Sequence, residues 1–456
     1  MFTDCEVVSS GFPAGSKLSR DNEDSSTQTL DIRRENQNTQ TANAQTTGVQ
    51  TESTEGEVAE TKYDEEKLTE FLNRMCPAVV NELDRISRSN AFASYSLLSE
   101  EEDVEELLNI PNTTEGVKVV DLSWSATGSV LAVASCHTLH SGWCHHQGYV
   151  TLHNIDKDSR IPSCTLNATS CVRSVSMHPY LSSIVAAGTI TGEVFVWDTA
   201  GETSKTLAKV TAASHNDSVT EVRWVLGTGT SVYLVSAAHD GYLILWKVSP
   251  HLSSYQLMER YTFDLSSSKV GVSAFAFPHH QQDVFVVCLE GGAVKHCSTT
   301  VAKPVTSVRS LQPLKDPVIS CFEQHPATVT CVEFSPNHDN VFATVATDQA
   351  IRIWCLLQRC CQRVIWCGAM VGLSWSPVQA HVLAAWGHSN NVKLYNSNTG
   401  DDLISLAPDG RKDKAQISCV RFNCKSTGLL GVGDLGGRVE VWEIPLLVST
   451  KGEILK

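Results

Sequence analysis

The spacing of hydrophobic residues predicts a repeated β-structure over most of the chain. From about residue 117 onward, a short strand ending in an aromatic residue or its equivalent is followed by an apolar strand, a tight turn and a third strand. The residues that end the first strands lie 41 to 57 positions apart, at Trp124, Met177, Trp224, Phe277, Phe334, Trp375 and Phe422. Seven such units predict an all-β fold, a seven-bladed β-propeller at residues 117–449. A fourth strand is needed to close the seventh unit, and either residues 446–449 or a segment before residue 117 could supply it.

The turns of three units contain residues that could form a hydrogen-bonded network. An aspartate precedes the tryptophan of the third strand by six to eight positions, in the pairs Asp240 and Trp246, Asp348 and Trp354, and Asp434 and Trp442. Such a carboxylate can accept turn amide hydrogens and a histidine N–H, for which His215 is the best candidate. Ser236 and Thr344 are placed to extend the network to the tryptophan. The first and fourth units depart from this pattern, with His153 and His296 at the tryptophan position.

Residues 62–111 have a different hydrophobic period, which predicts amphipathic helices. In YDEEKLTEFLNRMCPAVVNELDRISRSNAF the apolar residues recur at steps of three and four, at Leu68, Phe71, Leu72, Met75, Val79, Leu83 and Ile86. Pro77 either kinks this helix or lets a second one begin at Cys76. LSEEEDVEELLNIP predicts a shorter helix, capped by Ser99 and ended by Pro111. These apolar faces could pack on the same chain or bind a partner.

Residues 1–61 are rich in Ser, Thr, Asn, Gln and Glu, and we expect them to be disordered. A short β-prone triplet nevertheless occurs three times, as Thr27, Gln28 and Thr29; Thr39, Gln40 and Thr41; and Val49, Gln50 and Thr51. Two β-branched residues around a glutamine suit an extended segment that adds a strand to a partner's sheet edge. With a dimeric partner, repeated weak contacts would become strong through effective concentration.

Charge and cysteine content narrow the class of protein. The formal net charge of −15 belongs to residues 1–116, whereas acidic and basic residues balance in the remainder. An acidic segment at residues 1–116 and a neutral remainder argue against binding to nucleic acid or to anionic membranes, which requires concentrated Lys and Arg. We find no signal peptide or membrane-spanning run, and the 16 cysteines include no C-x-x-C pair. The sequence therefore indicates a protein of the cytosol with reduced thiols.

A Cys/His-rich insertion is the last candidate for a chemical site, and the sequence lacks the common catalytic motifs. SCHTLHSGWCHHQGY gathers Cys136, His137, His140, Cys144, His145 and His146 in the first unit. Because this spacing matches no standard zinc finger, we expect a contact loop centred on Trp143 and no metal. No Gly-rich phosphate loop or nucleophile elbow is present, and no carboxylate pair stands out. We therefore predict no catalytic residues and no cofactor.

The Asp–His–Ser/Thr–Trp pattern resembles the network of WD-repeat propellers. The full layout, with a disordered leader (residues 1–61), a helix and a propeller, resembles a dynein intermediate chain. The sequence DEEKLTEFLNRMCPAVVNELDRISRSNAF is similar to the segment before the propeller in one member of this family, the WD-repeat intermediate chain of ciliary cytoplasmic dynein, or dynein 2. The triplets resemble the anchors of peptides that bind the LL-type hub light chain of dynein, although the usual preceding lysine is replaced by Ser26, Asn38 and Gly48.

This resemblance implies a non-catalytic subunit of the motor for retrograde intraflagellar transport and cilium assembly. Its partners would be the dynein 2 heavy chain, hub light chains, roadblock-type light chains and a second intermediate chain. The implied roadblock surface consists of Leu68, Phe71, Leu72, Val79, Val80 and Leu83. The implied locations are the cytoplasm, cytoskeleton, cilium, axoneme and basal body or centrosome, without insertion into a membrane.

Two alternatives remain at this stage. A substrate receptor of a cullin-type ubiquitin ligase usually has an arginine two residues after a Trp-Asp pair, but Trp197 and Asp198 are followed by Thr199 and Ala200. An intermediate chain of dynein 1 or of an axonemal dynein is the second alternative. For dynein 1 we would expect a basic-acidic coiled-coil start, which residues 1–20 lack.

Overall fold

The computed structural model describes residues 65–87, 105–111, 116–138, 140, 144–157, 161–201, 205–210, 215–227, 231–249, 254–263, 270–280, 283–306, 313–406, 415–425 and 428–444. The chain divides into two units, Met1–Asn90 and Ala91–Lys456. The predicted disordered segment 1–61, with its three triplets, lies outside the described residues.

The described part of the first unit is one helix, α1 (Glu65–Ser87). Pro77 lies inside α1, so the helix neither ends nor restarts there. Proline lacks the N–H that would bond to the carbonyl four residues earlier, and α1 accommodates this missing bond. None of the helices in the described residues has the length and hydrophobicity needed to cross a membrane.

The described part of the second unit is a seven-bladed propeller, which confirms the predicted fold class. Blades one to three consist of β2 (Val117–Trp124), β3 (Val130–His137), β4 (Gly148–Asn154) and β5 (Cys164–Ala168); β6 (Val172–Met177), β7 (Ile184–Thr189), β8 (Val194–Asp198) and β9 (Lys205–Val210); and β10 (Val219–Leu226), β11 (Val232–Ala238), β12 (Tyr242–Ser249) and β13 (Ser254–Thr262). A short 3-10 helix, Ile155–Lys157, follows β4.

Blades four to six repeat this antiparallel order. They consist of β14 (Val272–Ala276), β15 (Val284–Leu289), β16 (Val294–Ser298) and β19 (Val318–Cys321); β20 (Val329–Phe334), β21 (Val341–Ala346), β22 (Ala350–Cys355) and β23 (Arg363–Trp366); and β24 (Met370–Trp375), β25 (Val382–Gly387), β26 (Val392–Asn396) and β27 (Asp402–Leu406). Two short strands, β17 (Lys303–Pro304) and β18 (Lys315–Asp316), extend the outer edge of blade three.

Blade seven is closed by a strand from the other end of the chain. It consists of β28 (Ile417–Phe422), β29 (Leu429–Asp434), β30 (Val439–Glu443) and β1 (Glu105–Ile110). β1 pairs antiparallel with β30, from Glu105 opposite Glu443 to Ile110 opposite Val439. Of the two possible sources of the closing strand, the structure uses the one before residue 117.

This strand corrects the prediction of a second helix in the segment 62–111. Residues 105–110 form β1 in place of the helix expected from LSEEEDVEELLNIP. Leu108 and Ile110 are buried, whereas Leu107 is exposed, as expected for a strand with alternating faces. Pairing with β30 satisfies backbone groups that a sheet edge would leave open, and this tertiary gain outweighs the local helix preference of the acidic residues.

Buried clusters fill the seams between neighbouring blades. Leu152 and Trp197 contribute to the seam between blades one and two, and equivalent clusters occur at the other seams. The seam between blades seven and one contains Leu108 and Ile110 of β1 together with Leu122 of β2. The ring is therefore closed by side-chain packing as well as by strand pairing.

Each inner strand has a register shift near its start, between the first and third residues in six of the blades and between Val119 and Asp121 in the longer β2. Such bulges redirect the side chain that follows them. The redirected residues line a cavity of about 470 Å³ on the ring axis: Asp121, Ser174, Glu221, Ala274, Cys331, Gly372 and Cys419. The residue at each bulge lines the same cavity, so every inner strand contributes two neighbouring residues to the central channel.

Candidate functional site

Blade three contains the complete network predicted from the sequence. The ring N–H of Trp246 donates to Ser236 Oγ at 2.9 Å, and Ser236 Oγ lies 2.9 Å from His215 Nε2. His215 Nδ1 lies 3.1 Å from Asp240 Oδ1. An ionised carboxylate only accepts hydrogen bonds, so His215 carries its proton on Nδ1 and accepts the Ser236 hydroxyl proton at Nε2. Every polar group of this buried network is thus satisfied, so the network has a structural role.

Blade five forms a variant that the sequence prediction described only in part. Trp354 Nε1 donates to Thr344 Oγ1 at 2.8 Å, and His325 Nε2 lies 2.9 Å from the same oxygen. Arg352 Nη1 contacts His325 Nδ1 at 2.6 Å and Asp348 Oδ2 at 2.5 Å. Arginine can only donate, so Nε2 of His325 carries the proton and donates to Thr344. His325 was missed, although it precedes Asp348 by nearly the same spacing that separates His215 from Asp240 in blade three.

Burial and the neighbouring guanidinium keep His325 uncharged. Burial is the larger cause and Arg352 the second, and together they lower the pKa of His325 to about 4. Burial also lowers the pKa of His153, on β4 of blade one, to about 4. His153 Nε2 lies 3.1 Å from Thr151 Oγ1. Burial likewise lowers the pKa of His296, which occupies the tryptophan position on β16 of blade four.

Blade seven does not bring its predicted residues into the same network. Trp442 Nε1 donates to Glu440 Oε2 at 3.1 Å, two residues away on β30. Asp434 Oδ1 accepts the backbone N–H of Arg438 at 2.8 Å and so stabilises the turn. Asp434 and Trp442 therefore occupy their predicted positions in blade seven. The ring N–H of Trp442, however, donates to the carboxylate of Glu440 in place of a Ser or Thr hydroxyl.

Charged side chains around the central channel connect neighbouring blades. Asp121 Oδ2 accepts the backbone N–H of Val175 at 3.1 Å, and Glu221 Oε2 accepts that of Phe275 at 3.1 Å. At a third seam Glu333, two residues further along its strand, accepts the N–H of Trp375 at Oε2 at 3.3 Å. These carboxylates each serve the inner strand of the next blade, so their geometry accounts for them without a catalytic role.

Two arginines balance this acidic group. Arg421 Nη2 lies 3.4 Å from Asp121 Oδ1, and Arg223 Nε lies 2.5 Å from Glu221 Oε1. Burial alone would lower the pKa of Arg421, but Asp121 and Glu333 outweigh it and raise that pKa. Burial raises the pKa of Glu333, and Arg421 offsets only part of this effect. This group was missed because its members lie far apart in the chain and only the folded ring brings them together.

The apolar side of α1 is exposed. Leu68, Phe71, Leu72, Val79 and Val80 each expose between 46% and 56% of their surface. Leu83 belongs to the helix by its backbone, but its side chain lies outside the described residues. Arg74 lies over the ring of Phe71, 5.9 Å from its centroid. A surface of this kind is more typical of a partner-binding helix than of an isolated one.

Three residues of the insertion in blade one meet a cysteine from a different loop. His140, Cys144 and His146 lie near Cys171, which precedes β6, and their four ligand atoms are all within 4.8 Å of one another. Burial raises the pKa of Cys171 to about 12, and burial also lowers the pKa of His140. The expected contact residue Trp143 lies outside the described residues. Cys171 was missed because only the folded blade brings it to the insertion.

The fold and its networks define a WD-repeat β-propeller protein. The family model for the WD domain, G-beta repeat, matches residues 316–355, a range that contains β20, β21 and β22 of blade five. That blade holds the network of His325, Thr344 and Trp354.

Two curated relatives extend the match beyond a single repeat. The chain is 27% identical over 421 residues to "Cytoplasmic dynein 2 intermediate chain 2" of Homo sapiens, covering 86% of this chain and 78% of the relative. It is 28% identical over 423 residues to the protein of the same name from Mus musculus, with the same shares. The resemblance to the dynein 2 intermediate chain drawn from the sequence is confirmed by these relatives.

Proposed function

We propose that this chain is a non-catalytic intermediate chain of a dynein 2 motor, which links light chains to the heavy chain. The similarity to dynein 2 intermediate chains over 86% of the chain carries this proposal. The propeller, from Glu105 to Glu443, makes up only about three quarters of the sequence. The similarity therefore also includes residues before β1. A propeller protein with a different function would not be expected to be similar in that segment.

In this proposal α1 binds a roadblock-type light chain. The exposed residues Leu68, Phe71, Leu72, Val79 and Val80, with Leu83 further along the helix, supply an apolar surface. An amphipathic helix that buries such a stripe in a partner's groove gains about 25 cal/mol for each Å² of apolar area removed from water. Exposure of several large apolar residues supports binding to a partner better than it supports an isolated helix.

The leader would bind hub light chains through its three triplets, centred on Gln28, Gln40 and Gln50. Each triplet would add a strand to one groove of a light-chain dimer, and two leaders side by side would engage both grooves. The propeller, as a closed and rigid ring, would hold the heavy chain. Retrograde intraflagellar transport, cilium assembly and location at the cilium, axoneme and basal body follow from membership of this motor.

The test is purification of the tagged full-length chain from ciliated cells, with mass spectrometry of the proteins that accompany it. We expect a long motor heavy chain together with hub and roadblock light chains. Recovery of a cullin-ligase adaptor in their place would contradict the proposal. Recovery of a dynein 1 or axonemal heavy chain would contradict the assignment to dynein 2.

Adjacent substitutions on α1 separate the light-chain step from general damage. Leu72→Asp places a charge on the apolar surface and should reduce roadblock recovery at least about tenfold, as expected for a central interface residue. Asn73→Asp introduces the same side chain one residue later and should leave recovery unchanged. Replacing Gln28, Gln40 and Gln50 by alanine should remove hub light chains but retain the heavy chain.

A further inference from the structure

The Cys/His cluster (His140, Cys144, His146 and Cys171) has the donor set of a structural zinc site. Its two thiols and two imidazoles have all four ligand atoms within 4.8 Å of one another. Cys144 Sγ lies 3.9 Å from His146 Nδ1. In a tetrahedral zinc site, bonds of about 2.3 Å to sulfur and 2.0–2.1 Å to nitrogen separate the ligand atoms by roughly 3.3–3.8 Å. A contraction of about 1 Å would therefore bring the donors to bonding positions.

A second observation comes from the surroundings of these residues. His140 Nε2 is buried and has no hydrogen-bond partner among the described residues. A buried polar atom without a partner is costly, and coordination of a cation would satisfy it. The ring of His137 stacks on His146 with centroids 4.3 Å apart and so orients that imidazole.

The sulfur atoms are also arranged as ligands usually are. Cys144 and Cys171 are both buried and form a small cluster with Cys136, apart from the large cores between the blades. The backbone N–H of Cys171 points at Cys144 Sγ at 3.5 Å. Backbone N–H groups directed at sulfur stabilise a thiolate more than a thiol, because the acceptor then carries a charge.

We propose that His140, Cys144, His146 and Cys171 bind one zinc ion. Mixed thiolate and imidazole donors in a tetrahedral arrangement favour Zn²⁺ over Mg²⁺ or Ca²⁺, which prefer oxygen. Binding would release two thiol protons to solvent. The product, one Zn²⁺ with two thiolates and two neutral imidazoles, has no net charge and so suits a buried position. With four protein ligands the coordination is complete, which indicates a structural site.

The zinc ion would fix the insertion of blade one to the start of blade two. Three ligands belong to the link between β3 and β4, whereas Cys171 belongs to the link between β5 and β6. The two links already touch near Gly148, where an added Cβ would lie 2.0 Å from the carbonyl oxygen of Ser170. A metal bridge would hold His140, Cys144 and His146 of the insertion against the start of blade two.

The first test measures metal in the full-length chain after removal of any histidine tag. Inductively coupled plasma mass spectrometry should find about one zinc per chain. After the metal is removed by a chelator, added Co²⁺ should give the intense d–d absorption of a tetrahedral site together with thiolate-to-cobalt charge transfer. A chain without zinc that also fails to give this spectrum would overturn the proposal, and so would a disulfide between Cys144 and Cys171 found under non-reducing conditions.

Matched variants assign the ligands. Cys171→Ser and His140→Ala should each lower the zinc content at least about tenfold. His145→Ala alters an exposed histidine of the same insertion, and Cys367→Ser alters a buried cysteine elsewhere in the propeller; both should retain the metal. Circular dichroism shows whether each variant has folded. If a variant has not folded, the cobalt spectrum of the unaltered chain decides whether the Cys/His cluster binds metal. Equal zinc in Cys171→Ser and Cys367→Ser would contradict the assignment.

Discussion

Blades three and seven both contain four consecutive antiparallel strands, but they obtain them by different means. Blade three takes all four strands from one stretch of chain, β10 to β13, and joins its turn to its tryptophan through a hydroxyl and a histidine. Blade seven takes β1 from a segment more than three hundred residues before β30, and Trp442 bonds to Glu440 on its own strand. Blade three is stabilised mainly by local contacts, whereas blade seven depends on contacts between the two ends of the propeller.

The largest effect should come from breaking the closing strand of blade seven. Leu108→Asp replaces a buried leucine by an unpaired carboxylate and should lower the free energy of unfolding by at least about 3 kcal/mol. Leu107→Asp, on the exposed face of the same strand, should cost under about 1 kcal/mol. Urea denaturation of both variants measures the difference. Equal losses would mean that β1 does not close the ring in solution.

The hydroxyl of blade three should come next. Ser236→Ala leaves the ring N–H of Trp246 and Nε2 of His215 without their buried partner, at a cost of about 1–3 kcal/mol. Ser236→Thr keeps a hydroxyl, as Thr344 does in blade five, and should be less damaging than Ser236→Ala. The two unfolding midpoints provide the comparison. An alanine variant as stable as the threonine variant would show that the network contributes nothing.

Blade five adds a dependence on pH through the buried histidine of its network. His325 has a pKa of about 4 in the folded chain, against an ordinary value near 6.5. Between these values His325 binds more protons in the unfolded chain, so its contribution to stability should rise with pH from about 4 to 6.5, by at most about 1.4 kcal/mol per pH unit, and then level off. Denaturation of the unaltered chain and His325→Gln at several pH values should show a smaller slope for the variant. Identical slopes would contradict the assignment.

The smallest effect is expected at the tryptophan of blade seven. Glu440→Gln keeps an oxygen that can accept the ring N–H of Trp442, and should change the free energy of unfolding by less than about 1 kcal/mol. Thermal unfolding monitored by tryptophan fluorescence would detect it. A loss as large as that of Ser236→Ala would mean that the charge of Glu440, and not its accepting oxygen, stabilises blade seven.

Sequence reasoning worked where each blade repeats the same local requirement. Middle strands such as β7 and β25 are buried on both sides, and their apolar runs could be read directly. Inner strands such as β10 are only partly buried, but an aromatic residue near the end, Trp224 in β10, marks them in the sequence. Outer strands are different, because one face is solvated and the apolar pattern fades. In β23 only Ile365 is buried, and Trp366 is 75% exposed. These fourth strands could be inferred only from the need to complete each sheet.

The remaining errors have a common physical origin in contacts between distant residues. Residues 105–110 contain acidic residues that favour a helix locally, and only the open edge of β30 makes them a strand. Cys171 has no metal-site signal of its own and gains one from the insertion beside it. Asp121 and Arg421 meet where blades seven and one adjoin, although about three hundred residues separate them. Contacts between residues so far apart in the chain could not be predicted from a single sequence.

The origin of β1 has a consequence for the synthesis of this protein on the ribosome. β30, the partner of β1, is synthesised more than three hundred residues after β1. At a translation rate of about 5–20 residues per second, β1 waits for tens of seconds with an unpaired edge that can aggregate. The nascent ring therefore remains open until β30 has been translated, and chaperones that shield exposed strands can act on β1 throughout this interval.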